Sequence, residues 1–130
     1  MKLGYVIVHV ADVAASLAFF EHAFGLPRRF LHASGDYGEL DTGSTVLAFA
    51  SHALAERNLP GGHVRADTSA RPLGMEIALV TDDVDAAHAR ALAAGAGELA
   101  APAAQPWGQV VSWLRAPDGT LVELCTPLAD

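Results

Sequence analysis

Short apolar or alternating runs recur along the chain and are separated by polar, glycine-rich turns. Tyr5–Val10 is one such run and leads to Asp12, and Glu76–Val80 is a second that leads to Asp83. Runs of this length and composition are typical of β-strands. Because the same pattern occurs in both halves, the sequence predicts a duplicated unit in which Tyr5 and Glu76 are equivalent.

A helix is predicted after each of these strands. Asp12 and Asp83 suit helix N-caps, since their carboxylates accept backbone N–H groups that the first turn leaves unpaired. Apolar residues at helical spacing predict a first helix over Val13–Phe24, and the second is predicted over about Val84–Ala94. A glycine follows each helix, which is a common way for a helix to end.

The closing segments of the two halves also match, with Thr45–Ser51 corresponding to Thr120–Thr126. Turn-forming residues precede both, namely Thr42–Ser44 and Pro117–Gly119, so each half is predicted to end in a hairpin. The resulting fold class is α+β, a single domain over 1–130 made of two tandem βαβββ units. Unit one covers about 3–51, a connecting loop 52–72, and unit two about 73–127.

Composition narrows the classes of function. The net charge is −7, with eight Lys and Arg residues scattered along the chain, which argues against nucleic acid or an anionic membrane as partner. No apolar run approaches the roughly 20 residues of a membrane span. One cysteine, Cys125, cannot form an internal disulfide, and the amino terminus lacks a secretory pattern. We therefore expect a cytoplasmic protein.

Alternation along the strands separates two faces of the predicted sheets. One face is wholly apolar and is expected to lie under the helices: Val6, Val8, Val10, Leu47, Phe49, Ile77, Leu79, Val122 and Leu124. The other mixes polar groups with small residues: Tyr5, Ile7, His9, Val46, Ala48, Ala50, Glu76, Ala78, Val80, Leu121, Glu123 and Cys125. We interpret the mixed face as a ligand cleft, with open space above the alanines. The alternative is a solvent-exposed face, which explains the carboxylates but not the apolar members.

Several of these features resemble one known family. An Asp-Val pair begins each helix, and Phe19 and Phe20 lie within the first. A Pro-Trp-Gly segment stands at Pro106–Gly108, and Pro117–Gly119 leads into Leu121–Leu124. Together they are similar to the vicinal oxygen chelate superfamily, which contains glyoxalase I, bleomycin resistance proteins and extradiol dioxygenases. The resemblance implies a U-shaped cleft formed by the two units, often at a homodimer interface.

Metal-dependent members of that family take four ligands from equivalent strand positions, and the resemblance places these at Tyr5, Ala48, Glu76 and Glu123. Ala48 has no donor atom and neutral Tyr5 is a poor ligand. The two glutamates would hold a divalent cation weakly at most. No tightly bound cofactor is therefore expected.

Two other residues are candidates for the ligand site. His9 shares the parity of Tyr5 and is expected to line the pocket, and Trp107 lies in a turn from which its indole would stack on a planar ligand. Cys125 shares the cleft parity but is interpreted as a small packing residue. The face occupied by Trp113 stays open, because a shift of one residue in strand pairing reverses it.

The leading hypothesis is a metal-independent protein that binds a small organic molecule, with Tyr5, His9, Ala48, Glu76, Trp107 and Glu123 in the ligand site. The rival is a lyase, isomerase or epimerase in which Glu76 or Glu123 is catalytic, as general base or as ligand of a weakly held metal. A third hypothesis is a dimerising module without a ligand.

Overall fold

The structure is a computed structural model and describes residues 1–129. Within those residues no helix is long and apolar enough to span a membrane. The elements in chain order are β1 (Tyr5–Val10), α1 (Val13–Phe24), β2 (Arg28–Leu31), β3 (Tyr37–Leu40), β4 (Val46–Ser51), α2 (His52–Asn58), β5 (Glu76–Val80), α3 (Val84–Ala93), β6 (Gly97–Ala104), β7 (Val110–Arg115) and β8 (Leu121–Cys125).

The strands form two four-stranded sheets, one from each half of the chain. Their orders are β1-β4-β3-β2 and β5-β8-β7-β6. In both sheets the first strand pairs parallel with the last, and the other pairs are antiparallel. This is a βαβββ unit present twice, so the predicted α+β fold with tandem units is confirmed.

The ends of the long helices follow the sequence signals. The side chain of Asp12 accepts a hydrogen bond from the N–H of Ala15, and Asp83 accepts one from Ala86, both at 3.0 Å. Gly25 follows α1 with φ +69°, a left-handed conformation that glycine adopts without a steric penalty. Both predicted N-caps are therefore present.

The two units share one core because α1 and α3 contact each other over the apolar faces of the sheets. Phe20 of α1 packs against Phe49 of β4 with ring centroids 5.0 Å apart. The same cluster of buried residues includes Val122 of β8 and Ala116 beyond β7. Loss of a fully buried aromatic side chain costs about 3–5 kcal/mol, so Phe20 helps to hold both units together.

A buried polar bridge fixes α3 to its sheet. His88 of α3 lies 2.9 Å through Nδ1 from the hydroxyl of Ser112 on β7, and 2.7 Å through Nε2 from a carboxylate oxygen of Glu98 on β6. Ser112 is fully buried, so no substrate reaches its hydroxyl. These hydrogen bonds therefore pair buried polar groups within the fold and do not form a nucleophilic site.

One expectation was wrong: residues 52–58 form α2 instead of loop. Ser51 caps this helix by accepting a hydrogen bond from the N–H of Leu54 at 3.1 Å. The helix has only about two turns, and of its residues only His52 and Ala55 are buried. So few buried positions do not produce a helical period that can be recognised in the sequence.

The segment after α2, residues 59–73, is held against the second unit. Arg115 of β7 donates through Nη2 to the backbone oxygens of Ala66 at 2.7 Å and Ser69 at 2.9 Å. Gly119, with φ +94° in the β7–β8 turn, passes so close that a Cβ there would overlap the carbonyl group of Ala66. This glycine therefore serves both the turn and the docking of the segment.

We predict that Gly119→Ala lowers the free energy of unfolding by about 1 kcal/mol or more beyond the loss caused by Gly108→Ala. Gly108 is the matched control, since its φ is +99° and a Cβ there meets nothing within 4 Å. Urea denaturation of both variants measures the difference. Equal losses would show that close approach to Ala66 contributes nothing to stability.

Candidate functional site

Three side chains come together on the cleft face of the second sheet, the face opposite α3. Trp113 of β7 lies directly across from Glu123 of β8, and Glu76 begins the next strand, β5. The indole Nε1 of Trp113 donates to a carboxylate oxygen of Glu76 at 3.0 Å. We refer to Glu76, Trp113 and Glu123 as the Trp–Glu cluster.

Strand register decides the position of Trp113. Arg115 pairs with Leu121 rather than with Thr120, which turns Trp113 to the side of the glutamates and Ser112 to the helix side. The hydrogen bond between Ser112 and buried His88 fixes that choice. Sequence reasoning missed Trp113 because no local feature distinguishes the two registers.

The Trp–Glu cluster combines two carboxylates with a neutral hydrogen-bond donor. Partial burial, and then the neighbouring carboxylate of Glu76, raise the pKa of Glu123. Trp113 supplies a neutral donor to Glu76 but no positive charge. Two carboxylates beside an indole can therefore receive a cation or take up a proton.

Cys125 lies two residues beyond Glu123 on the same face but is buried. Burial, followed by the nearby charge of Glu123, raises the pKa of its thiol. A raised pKa disfavours the thiolate that a nucleophile requires. These surroundings agree with the interpretation of Cys125 as a packing residue.

On the first sheet, the space that we expected above the alanines of the mixed face is not as predicted. Tyr5 is 56% exposed, but Ala48 is fully buried and Ala50 is nearly so. The expected open space above Ala48 is absent because β4 is an interior strand whose short side chains are covered by neighbours on β1 and β3. Beside Ala50, α2 roofs a cavity of about 300 Å³ bordered also by Ile7 and Tyr37.

A buried carboxylate lies beside Ala48. Glu39 of β3 pairs in register with Ala48, just as Trp113 pairs with Glu123 in the second sheet. The hydroxyl of Tyr37 donates to Glu39 at 2.7 Å, and Arg29 approaches the same carboxylate at 3.7 Å. Burial and the Glu39 carboxylate raise the pKa of Tyr37. Equivalent register positions in the two sheets thus carry different chemistry.

The family-implied metal position does not fit a tightly held ion. Tyr5, Ala48, Glu76 and Glu123 occupy the strand positions inferred from the sequence, and the methyl group of Ala48 cannot coordinate. Within residues 1–129, no group of three or more His, Cys, Asp or Glu side chains is arranged to hold a metal ion. The remaining donors are two carboxylates and a phenol.

His9 and Trp107 lie outside the Trp–Glu cluster. The ring of His9 is 5.0 Å from that of His63 in the segment after α2. Trp107 is 58% exposed in the β6–β7 turn, and its Nε1 donates to Gln109 at 2.7 Å. Their predicted roles as ligand-binding residues stay predictions, as do those of Tyr5, Ala48, Glu76 and Glu123.

Solved structures share this fold. A glyoxalase-related enzyme from Fulvimarina pelagi is 22% identical, with a TM-score of 0.82 over 98% of this chain and 88% of that one. A glyoxalase/bleomycin resistance protein/dioxygenase family enzyme from Burkholderia phytofirmans PsJN is 23% identical, with a TM-score of 0.82 over 97% and 98%. A protein of unknown function from Agrobacterium tumefaciens str. C58 is 26% identical, with a TM-score of 0.77 over 98% and 95%.

No curated protein matches the chain. The family model described as Glyoxalase/Bleomycin resistance protein/Dioxygenase superfamily matches residues 2–124, nearly the full length. With the duplicated βαβββ architecture, this match shows that the chain belongs to the glyoxalase/bleomycin resistance protein/dioxygenase superfamily.

Proposed function

We propose that this protein binds a small organic cation with an aromatic part at the Trp–Glu cluster, without a tightly bound metal. The observation that carries the proposal is the arrangement of Glu76 and Glu123 around the indole of Trp113. A cation placed there offsets the partial burial, and then the repulsion from Glu76, that raise the pKa of Glu123. The indole face adds a cation–π attraction of about 0.5–2 kcal/mol.

The open side of the sheet supports access by a ligand. Glu76 and Ala78 are exposed, and Val80 on the same strand is 65% exposed although it is apolar. An aromatic ligand would cover such apolar surface while its charge meets the carboxylates. Bleomycin resistance, named in the family description, agrees with capture of a small organic molecule.

A second function is favoured by the same raised pKa of Glu123. A carboxylate whose proton affinity is increased by burial and by a neighbouring carboxylate is suited to act as a general base. Glu123 would then remove a proton from a bound substrate, with Glu76 held in place by Trp113. Lyase, isomerase and epimerase reactions use such a step.

We predict that Glu123→Gln weakens binding of proflavine, a planar aromatic cation, by about fivefold, which corresponds to roughly 1 kcal/mol. The same variant should melt at an equal or higher temperature at neutral pH. The fold favours protonated Glu123, so the carboxyl group stabilises the protein at low pH and this contribution is lost as pH rises through its raised pKa. Glutamine keeps the neutral form at every pH.

Glu21→Gln is the charge-matched control, because Glu21 pairs with Arg28 at 2.7 Å outside the cluster. Fluorescence titration and thermal melts of both variants, of Glu76→Gln and of the double variant measure binding and coupling. Loss of stability in Glu123→Gln with unchanged proflavine affinity would assign Glu123 a structural role and remove the proposed function.

Metal content provides another prediction. We expect protein purified without added metal to contain well under one equivalent of zinc, nickel, iron or manganese, because Ala48 and Tyr5 leave two carboxylates as the strong donors. Elemental analysis before and after dialysis against a chelator measures this. Stoichiometric metal that resists the chelator would contradict it, as would methylglyoxal–glutathione lyase activity above a metal-only blank.

We also propose a homodimer. Tyr5, Ile7, Met75 and Val80 expose apolar side chains on or beside the cleft face, and Leu99 does so on edge strand β6. A second copy related by a twofold axis would cover such surface. Light scattering at micromolar concentration should therefore give twice the chain mass of 13.5 kDa. A monomer under these conditions would exclude a cleft built from two chains.

A further inference from the structure

A cavity of about 200 Å³ lies where the two units meet, between β1, the start of β8 and the segment after α2. We refer to it as the junction cavity. Most of its walls are apolar and include Ile7, Val64, Ala66, Leu73, Met75 and Leu121. An apolar cavity of about 150 Å³ already accommodates benzene, so this one has room for a short hydrocarbon group.

Several apolar side chains of the junction cavity are exposed in the single chain. Val64 is 70% exposed and Met75 is 67% exposed, and Ile7 is exposed as well. They come from three parts of the chain, namely the segment after α2, the residue before β5, and β1. Apolar side chains that gather around one concave surface indicate a binding site, whereas an isolated exposed residue does not.

The junction cavity adjoins the Trp–Glu cluster along β8. Leu121 lines the cavity, and Glu123, two residues further along the strand, belongs to the cluster. Side chains two residues apart in a strand lie on the same face, roughly 7 Å from each other. Leu121 also pairs in register with Glu76, the other carboxylate of the cluster. A ligand whose charge lies at the carboxylates can therefore reach the cavity with a chain of a few carbon atoms.

The lining of the junction cavity favours an uncharged group. None of the described residues that line it is an Asp, Glu, Lys or Arg. Partial burial, and then His63, lower the pKa of His9 on its wall, so the His9 ring is neutral at neutral pH. A charged group that entered would lose its hydration without meeting a counter-charge. The attraction for a cation thus lies at the cluster, and the cavity suits the hydrocarbon part of the same molecule.

The outer wall of the cavity is held in place by hydrogen bonds. Arg115 donates to the backbone oxygens of Ala66 and Ser69. Nearer α2, His52 Nδ1 and His63 Nε2 are 2.8 Å apart, so one of these rings donates a hydrogen bond to the other. A wall that is already ordered reduces the entropy lost when a ligand binds.

We propose that the organic cation recognised by the Trp–Glu cluster carries a short, uncharged alkyl substituent, which fills the junction cavity. This inference rests on the proposed function, because the cluster positions the charged end of the ligand. It adds the class of ligand, an amphiphilic aromatic cation instead of a compact one. Leu121 is then the residue shared by the two parts of the site.

Two dyes with one aromatic cation test the alkyl substituent. Acridine orange that carries a methyl or a hexyl group on its ring nitrogen has the same ring system and charge in both compounds. We expect the hexyl compound to bind about tenfold more tightly in a fluorescence titration, since one fully buried methylene group contributes about fourfold and several methylenes only span the distance to the cavity.

Ala66→Leu should reduce the ratio of the two affinities to about one, because Ala66 lines the cavity and a leucine there occupies its space. Ala70→Leu is the matched control. Ala70 is exposed on the same segment and does not line the cavity, so this variant should keep the tenfold preference. Circular dichroism checks that both variants are folded.

A second measurement uses the wild-type protein and does not depend on a variant. The chain has two methionines, of which Met75 lines the cavity and Met1 does not. In protein labelled with ¹³C-methyl-methionine, the hexyl compound should shift the Met75 resonance more than the methyl compound does. The Met1 resonance serves as the internal reference.

Equal affinities of the two dyes for the wild type, or equal shifts of the Met75 resonance, would overturn the alkyl substituent and leave the Trp–Glu cluster as the site. A preference that survives in Ala66→Leu would overturn it too. If the preference disappears as the protein concentration is raised, a second copy fills the cavity and the proposal is wrong. Glu123→Gln should weaken both dyes about fivefold at an unchanged ratio, and affinities that ignore this variant would remove the proposed function instead.

Discussion

The fold depends on one continuous apolar layer between the helices and the two sheets. Phe20 and Leu17 of α1 reach the face of the first sheet, and the same cluster of buried residues includes Val122 of the second. Since no strand-to-strand hydrogen bonds join the two sheets in the described residues, their relative placement depends on this packing. Burial at about 25 cal/mol per Å² of apolar surface makes such a layer the main stabilising term.

The layer also determines where chemistry can occur. A sheet that gives one face to the helices leaves the other to polar groups, and in the second sheet these are Glu76, Trp113 and Glu123. In the first sheet, Glu39 is covered and internally paired with Tyr37 and Arg29. A carboxylate without a cationic partner is less well compensated electrostatically than one that has such a partner. We therefore place the proposed site on the second sheet.

Much of the fold was predictable because its signals are local. Asp12, Asp83 and Gly25 specify helix ends through their own side chains or conformation, and strand alternation alone separates the two faces. The site was less predictable because it depends on non-local pairing. Trp113 changes faces with a slip of one residue, and His52 and His63 meet only when the segment after α2 folds back. No spacing in the sequence encodes either contact.

The register correspondence between the sheets bears on how many ligand molecules one chain could hold. Two copies of one backbone frame would offer a ligand two equivalent poses if their side chains were alike. Instead, Glu39 stands beside Ala48 in one copy where Trp113 stands beside Glu123 in the other. Since Ala48 is fully buried and Glu39 nearly so, the ligand proposed for the Trp–Glu cluster would find no second, equivalent position in the duplicated scaffold, and one chain would hold one molecule.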